Sequence, residues 1–300
     1  MKQAKKLSPF RRKERIMGLI FISPLYVSLC VFSIGFVIYS FFMGFTDWNV
    51  VQGTKEFVGF QNYIEALTDP LFYKSIKNTL IMTLMSMPTG LFFSLMIALA
   101  LNRGIKGTTF YRVAVYLPVV TSAVALAILW RYIFDAEYGI LNMAISSLTG
   151  HAGPNWLGDP AYVKPALSIM GVWGGLGGNM VLFLAGLQNV PKEYYEVMDV
   201  EGGNVFQKFR YVTLPMLSPV LFYMLITGTI GALQAMGNSF LMTGVGPEYS
   251  ALTIMYYLWQ KGFANYDMGG ASAVSWLMGT VIMIISIVNF KTSSRWVYEE

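Results

Sequence analysis

Six stretches of this chain, 16–45, 78–101, 113–134, 165–187, 217–241 and 271–290, are long and apolar enough to cross a bilayer, which takes roughly 20 mostly apolar residues. None of them carries Asp or Glu. In lipid each spanning segment must satisfy its own backbone, so the expected fold is an all-α membrane protein of six transmembrane helices. The overall charge agrees: 12% of residues are charged, against about 25% in soluble domains. Proline or glycine falls within every stretch, as at Pro24, Pro88, Pro118 and Gly228. Membrane helices tolerate these where neighbours satisfy the freed backbone groups.

Lys and Arg set the orientation. With the N-terminus inside, the tail 2–15, the loops 102–112 and 188–216 and the C-terminal tail hold 15 of the 21 basic residues. The positive-inside rule then places both termini in the cytoplasm. The six outer basic residues are Lys55, Lys74, Lys77, Arg131, Lys164 and Lys261. That modest basicity of the outer loops gives no support for an anionic solute. The expected division is a basic cytoplasmic tail over 1–15, a six-helix membrane body over 16–290 and a short cytoplasmic tail over 291–300. The first apolar stretch exceeds the roughly 7–15 residues of a signal-peptide core, so it reads as a retained helix.

Several functions are disfavoured. One cysteine, Cys30, permits no internal disulfide, and one histidine, His151, leaves too few ligands for a His/Cys metal centre. There is no G-x-x-x-x-G-K-[ST] phosphate loop, no H-E-x-x-H and no G-x-S-x-G. Any ATP-driven step therefore needs another subunit, and an intramembrane enzyme would lack clustered reactive groups. Spans without carboxylates also argue against proton coupling. No basic patch with interleaved aromatics suggests nucleic acid. Trp173, Asn179, Gln234, Asn238 and Ser239 lie at membrane depth in the fourth and fifth spans. They suit either helix–helix contacts or a path for a hydroxyl-rich solute such as a sugar, with glycines leaving room.

The passage 192–215, KEYYEVMDVEGGNVFQKFRYVTLP, is the most unusual in the chain. Pro191 favours a helix start, Glu193 suits the positive end of the helix dipole, and Gly202 and Gly203 suit a left-handed stop. A helix over 191–201 is expected. Glu193, Glu196 and Asp199 share its face, and like charges at this spacing oppose an isolated helix. Its stability should come from packing and its charge could pair with a basic partner, or the acids simply face water. Val205, Phe206, Phe209 and Val212 form an apolar stripe expected to fold back on the first half.

This passage resembles the EAA loop, the cytoplasmic signature of permease subunits of binding-protein-dependent ABC importers. Glu196 matches the motif's Glu, Glu201 its second acid, Gly202 its glycine, Val212 its Ile and Leu214-Pro215 its closing pair. Val197 and Met198 replace two alanines, and Gly203 replaces a third. The likeness extends along the chain through FVGFQNYIEAL at 57–67, FYRVAVYLP at 110–118, AGLQNVPKEYYE at 185–196 and TGVGP at 243–247. These are similar to carbohydrate-uptake permeases of the maltose-transporter first-permease type.

The resemblance implies a type I ABC importer permease fold. It implies a second related permease subunit, two copies of a cytoplasmic ATPase holding ATP and Mg, and an extracytoplasmic solute-binding protein, all in a bacterial-type cell membrane. Glu193, Glu196, Asp199, Glu201, Gly202, Gly203, Leu214 and Pro215 would form the ATPase-coupling element. Trp173, Gly178, Asn179, Gln234 and Asn238 would fall along the sugar path. No catalytic residue, metal or cofactor is expected in this chain. The alternative is a secondary carrier or facilitator for a small polar solute, needing no ATPase.

Overall fold

A computed structural model describes residues 9–298. Helix α1, Pro9–Ser28, continues through a π turn, Leu29–Gly35, into α2, Phe36–Met43. A hairpin follows, β1 (Thr46–Asn49) and β2 (Thr54–Phe57), then α3 (Gln61–Thr68), α4 (Pro70–Asn102), α5 (Thr108–Val120), α6 (Ala123–Ile133) and α7 (Ile140–Thr149). Next come α8 (Val163–Asn189), α9 (Lys192–Val200), α10 (Val205–Lys208), a π turn at Phe209–Thr213, α11 (Leu214–Met216) and α12 (Ser218–Leu233). The chain ends with α13 (Gly237–Met242), a 3-10 turn at Pro247–Tyr249, α14 (Ile254–Trp259), a π turn at Gln260–Ala264 and α15 (Met268–Ser293). Of the expected tail 1–15, residues 1–8 lie outside the described residues and the rest begins α1; residues 299 and 300 also lie outside them.

Four helices are long and apolar enough to span: Ile16–Met43, Pro70–Asn102, Val163–Asn189 and Met268–Ser293. The other two expected spans are bent pairs. α5 and α6 meet at 101°, and Val205–Met216 meets α12 at 62°. Thr121 and Ser122 explain the first bend. Both adopt extended ψ angles, 141° and 133°, and the Thr121 hydroxyl donates to the Leu117 carbonyl at 2.8 Å. Such local bonds offer the backbone an alternative to the helix. Pro215 and Pro219 flank the second bend and lack the N–H groups a continuous helix would use. The Ser218 hydroxyl donates to the Pro215 carbonyl at 2.6 Å instead. The fifth expected span, 217–241, ends its main helix at Leu233, and a separate short helix carries Asn238 and Ser239.

The chain divides into two compact units. One runs through Ala66 and includes Lys261–Trp276; the other comprises Leu67–Gln260 and the segment from Leu277. In the first unit the hairpin pairs Thr46 with Phe57 and Asn49 with Thr54, a small β element the helical pattern did not predict. Asn49 Oδ1 accepts from the Val51 and Gln52 amides at 3.0 and 3.1 Å and shapes the turn. Asn62, buried, donates to the Gly44 and Thr46 carbonyls at 3.0 and 2.9 Å. The spanning helix Ile16–Met43 has none of its window buried, as expected of a surface facing lipid or another chain.

In the second unit α4 and α8 run parallel at the centre. Gly90 faces Val172, and the Ser94 hydroxyl donates to the Leu176 carbonyl at 3.3 Å. Gly177 lies so near α5 that a Cβ there would be 2.6 Å from the Val115 carbonyl, and Gly186 abuts Leu217 and Val220 of α12. Small residues permit this approach where lipid supplies no hydrophobic drive for helix association. Ala98, Met180, Phe183, Leu187 and Leu217 form one core cluster, and Phe134, Val163, Leu167 and Met170 belong to a second. The C-terminal segment is tied to α12. Trp296 stacks edge-on to Phe222, and the Tyr298 amide donates to Ser218 Oγ at 2.7 Å.

Candidate functional site: a central cavity and a coupling loop

The second unit encloses a cavity of about 380 Å³ between α4, α8, α12 and α13. Two of the path residues expected from sequence, Asn179 and Asn238, line it. Neither amide side chain has a hydrogen-bond partner among the described residues. Gly171 makes room for the second amide: a Cβ there would stand 3.2 Å from Asn238 Nδ2. Trp173, Gly178 and Gln234 do not line the cavity. Trp173 packs edge-on to Trp130 at 5.6 Å, Gly178 has open space beside it, and Gln234 is an exposed residue capping α12.

Two cavity residues were not read from the sequence. Thr83 and Ser168 are 8% and 6% exposed, and neither hydroxyl has a partner. Burying such a group unpaired costs about 1–3 kcal/mol, so each is held ready for a ligand or water. Most hydroxyls of these spans do otherwise: Ser86 and Thr89 bond back to the Met82 and Met85 carbonyls at 2.7 and 2.6 Å. The cavity therefore offers neutral donors and acceptors on an apolar background, with no carboxylate in its lining. A second concavity, about 540 Å³, is lined by Arg131 and the 243–247 loop, where Gly244 and Gly246 have φ of +63° and +72°.

The loop 188–216 forms a compact helical elbow. Pro191 occupies the N-cap position of α9, with ψ 135°, and Glu193 lies in its first turn. The helix ends at Gly202, φ +75°, and the Gly203 amide donates to the Met198 carbonyl at 2.7 Å. Asn204 and Gln207 then form a capping box at 2.9 and 2.7 Å, an N-x-x-Q signature legible in the sequence but missed. The two halves do not join through the expected apolar stripe. Val205 and Phe206 are 68% and 72% exposed, while Val212 alone of that stripe is buried. The halves are tied instead by an ion pair between Lys208 and Asp199 and by Tyr195 Oη to Thr213 Oγ1 at 3.0 Å. α9 has no buried residue. Glu193, Glu196, Asp199 and Glu201 all face out, interleaved with Val197 and Val200, the latter 90% exposed. Leu214 and Pro215 are half-buried at the base, where the elbow joins α12.

Comparison with known proteins agrees with this architecture. Residues 90–298 match the family described as binding-protein-dependent transport system inner membrane component. Over 301 residues the chain is 35% identical to the probable ABC transporter permease protein YesP of Bacillus subtilis (strain 168), covering 99% of this chain and 96% of that protein. It is 32% identical to the arabinooligosaccharides transport system permease protein AraP of the same organism, over 92% of this chain and 88% of that one. Its fold matches a chain of the bacterial alginate ABC transporter crystallised with an alginate pentasaccharide-bound periplasmic protein. The TM-score is 0.83 at 21% identity, covering 97% of this chain and 98% of that chain. Four long apolar helices with two bent apolar pairs, an exposed acidic elbow after α8 and a family match over most of the length converge: the chain belongs to the binding-protein-dependent transport system inner membrane component family, a multi-pass ABC importer permease rather than a carrier that works alone.

Proposed function

We propose that this permease passes a carbohydrate through the cavity between α4, α8, α12 and α13, driven by an ATPase that docks on α9. The observation that carries the substrate reading is the set of unpartnered neutral groups, Asn179, Asn238, Thr83 and Ser168, around one cavity. A sugar supplies hydroxyls that donate to and accept from such groups, and glycines leave the cavity wide enough to admit it. The transport of arabinooligosaccharides by the system containing AraP supports the same class.

In this reading the acidic, partly apolar face of α9 sits in a basic cleft of the ATPase. Two ATPase copies, a second related permease and an external solute-binding protein complete the assembly within the lipid bilayer. ATP and Mg belong to the ATPase, this chain performs no chemistry, and both its termini are cytoplasmic. Glu196, Glu201 and the exposed Val197 and Val200 supply the docking surface, and Gly202 and Gly203 set its angle.

The test is co-purification of this chain with candidate importer ATPases in detergent, followed by uptake in vesicles. Glu196→Lys with Glu201→Lys is expected to lower ATPase recovery by about 10-fold, as loss of charge-assisted contacts at an interface does. Asn179→Ala with Asn238→Ala should leave ATPase recovery intact and reduce sugar uptake by about 10-fold, two neutral hydrogen bonds' worth. Recovery of no ATPase, while the purified chain alone moves solute, overturns the docking reading. Loss of assembly in the asparagine variant assigns those residues to packing.

A further inference from the structure

The segment between α13 and α14 holds an unusual backbone. Glu248 and Tyr249 are consecutive non-glycine residues in the left-handed region, at φ of +51° and +57°, where a side chain crowds the following carbonyl. Such a conformation persists only where the surroundings over-determine it. Local bonds supply part of that constraint. The Ala251 amide donates to the Val245 carbonyl at 3.0 Å, and Ser250 donates through its amide and its hydroxyl to the Pro247 carbonyl at 2.9 and 2.6 Å. The rest comes from α4. Asn78, 3% exposed, donates through Nδ2 to the Tyr249 carbonyl at 2.8 Å and to the Leu252 carbonyl at 3.0 Å. Its neighbour Thr79 accepts from the Ile254 amide at 2.9 Å.

These bonds join the segment to the cavity. Ala251, Leu252, Thr253 and Ile254 are all buried, and buried backbone that enters no helix ladder must find its partners on neighbours. Asn78 and Thr79 are those partners. Thr79 and Thr253 both line the cavity. They lie towards the N-terminus of α4, at the end away from the elbow, which follows the C-terminus of α8. A further tie runs alongside. Tyr257 of α14 donates to Asp69 Oδ2 at 2.6 Å, and Asp69 caps α4 through the Leu71 amide at 2.8 Å. One helix, α4, thus holds a strained segment against the cavity with its first turns and forms the cavity wall onward as far as Leu91.

We propose that residues 247–254 form a sprung gate at this end of the cavity, held shut by Asn78, and that the strain at Glu248 and Tyr249 favours its release when α4 shifts. The inference rests on the cavity being the transport path and adds the element that opens it. Asn78 is a positioning residue: it acts through the two carbonyls it holds. With both bonds made, the segment stays down in its strained form. With both broken, Tyr249 relaxes to an ordinary negative φ, and that relaxation opposes reclosure. A loop with only a structural role would place glycine or asparagine at such positions, where either fits with less strain.

The test uses the whole importer in membrane vesicles sealed with the elbow inside. Ala232→Cys, on the cavity wall, reports opening: a membrane-impermeant thiol reagent is added outside without ATP, and labelling at that residue is read by mass spectrometry. Asn78→Ala in this background should speed labelling by about 5–30-fold, the effect of losing two hydrogen bonds. Tyr249→Asn, which suits the left-handed region better, should slow it by about 2–5-fold, a direction that damage to the loop does not produce. Unchanged labelling in Asn78→Ala overturns the gate. If that variant does not assemble, Tyr249→Asn decides alone, and unchanged or faster labelling there overturns the gate. Oligosaccharide uptake by the same vesicles separates the two readings. Uptake with labelling indifferent to both variants overturns the gate and leaves the carbohydrate reading standing. Labelling that moves as expected without uptake of any glycan supports the gate and overturns the carbohydrate reading.

Discussion

Gly202 is the joint whose loss is most readily worked out. Its φ is +75°, and a Cβ added there meets nothing within 4 Å. Substitution is therefore sterically free in its surroundings and costly only in backbone conformation. For an alanine the left-handed region costs about 1–2 kcal/mol, whereas asparagine visits it with less strain. α9 has nine residues and buries none of them, and isolated helices shorter than about 12 residues are marginal in water. It has little stability from which to absorb that cost. A cost of 1–2 kcal/mol shifts a two-state equilibrium about 5–30-fold, so Gly202→Ala should open the elbow by that factor and Gly202→Asn by clearly less. The assay is amide hydrogen exchange at Gly203, whose N–H donates to the Met198 carbonyl at 2.7 Å. Uptake in vesicles should fall in the same rank order. Equal exchange rates in wild type, Gly202→Ala and Gly202→Asn would refute the view that the elbow's geometry depends on this residue's conformation.

Two further outcomes follow from local geometry. Gly177→Ala brings a Cβ to 2.6 Å from the Val115 carbonyl and 2.7 Å from Tyr116 Cα, both backbone atoms that cannot turn aside. Thermal unfolding of the purified permease should show about 1–3 kcal/mol of destabilisation from overpacking, while Gly178→Ala, with nothing within 4 Å, should show none. Asp135 accepts from the Tyr138 and Glu137 amides at 2.8 and 3.0 Å, and these two bonds hold its carboxyl below its ordinary value. A depressed folded value means the turn's stabilisation is complete above the unfolded value and lost as pH falls through the folded one. Exchange at the Glu137 and Tyr138 amides should therefore quicken on acidification below the usual carboxylate range in wild type and lose that pH dependence in Asp135→Ala.

The long spans were legible because lipid exposure writes itself as uninterrupted apolar sequence. The breaks were not, because they depend on short polar bonds such as Thr121 to Leu117, which the apolar pattern of 113–134 hides. The hairpin escaped because its strands have four residues each and carry no clear alternation. The elbow was legible at its ends, where Pro191 and Gly202 have position-specific backbone demands. Its internal tie was not, since Lys208 to Asp199 and Tyr195 to Thr213 join residues from different helices. The same limit applied to the cavity. Asn179 and Asn238 come together only because the chain breaks after Leu233 and restarts at Gly237. Helical periodicity sets Thr83 and Thr89 on different faces of α4 but does not say which hydroxyl is satisfied: that of Thr89 bonds back to its own helix and that of Thr83 is left facing the cavity.

The packing between elbow and cavity is continuous, and its parts differ in stiffness. The Lys208–Asp199 pair has an Asp199 side chain 63% exposed, and exposed pairs contribute at most about 1 kcal/mol. It can be exchanged cheaply. The Tyr195–Thr213 bond is anchored on a buried threonine, and just beyond it Leu217, fully buried, presses on Gly186 of α8. Met224, on the same helix as Val220, belongs to the core cluster with Met180 and Phe183 and also lines the cavity. Close-packed interiors transmit displacement instead of absorbing it. A force applied at Glu196 would thus bend the elbow first at Gly202–Gly203 and then, once that joint is taken up by a docked partner, carry α12 bodily with it. On the proposed docking reading, the left-handed turn at Gly202 would set how far a partner must move before the wall of the cavity moves at all.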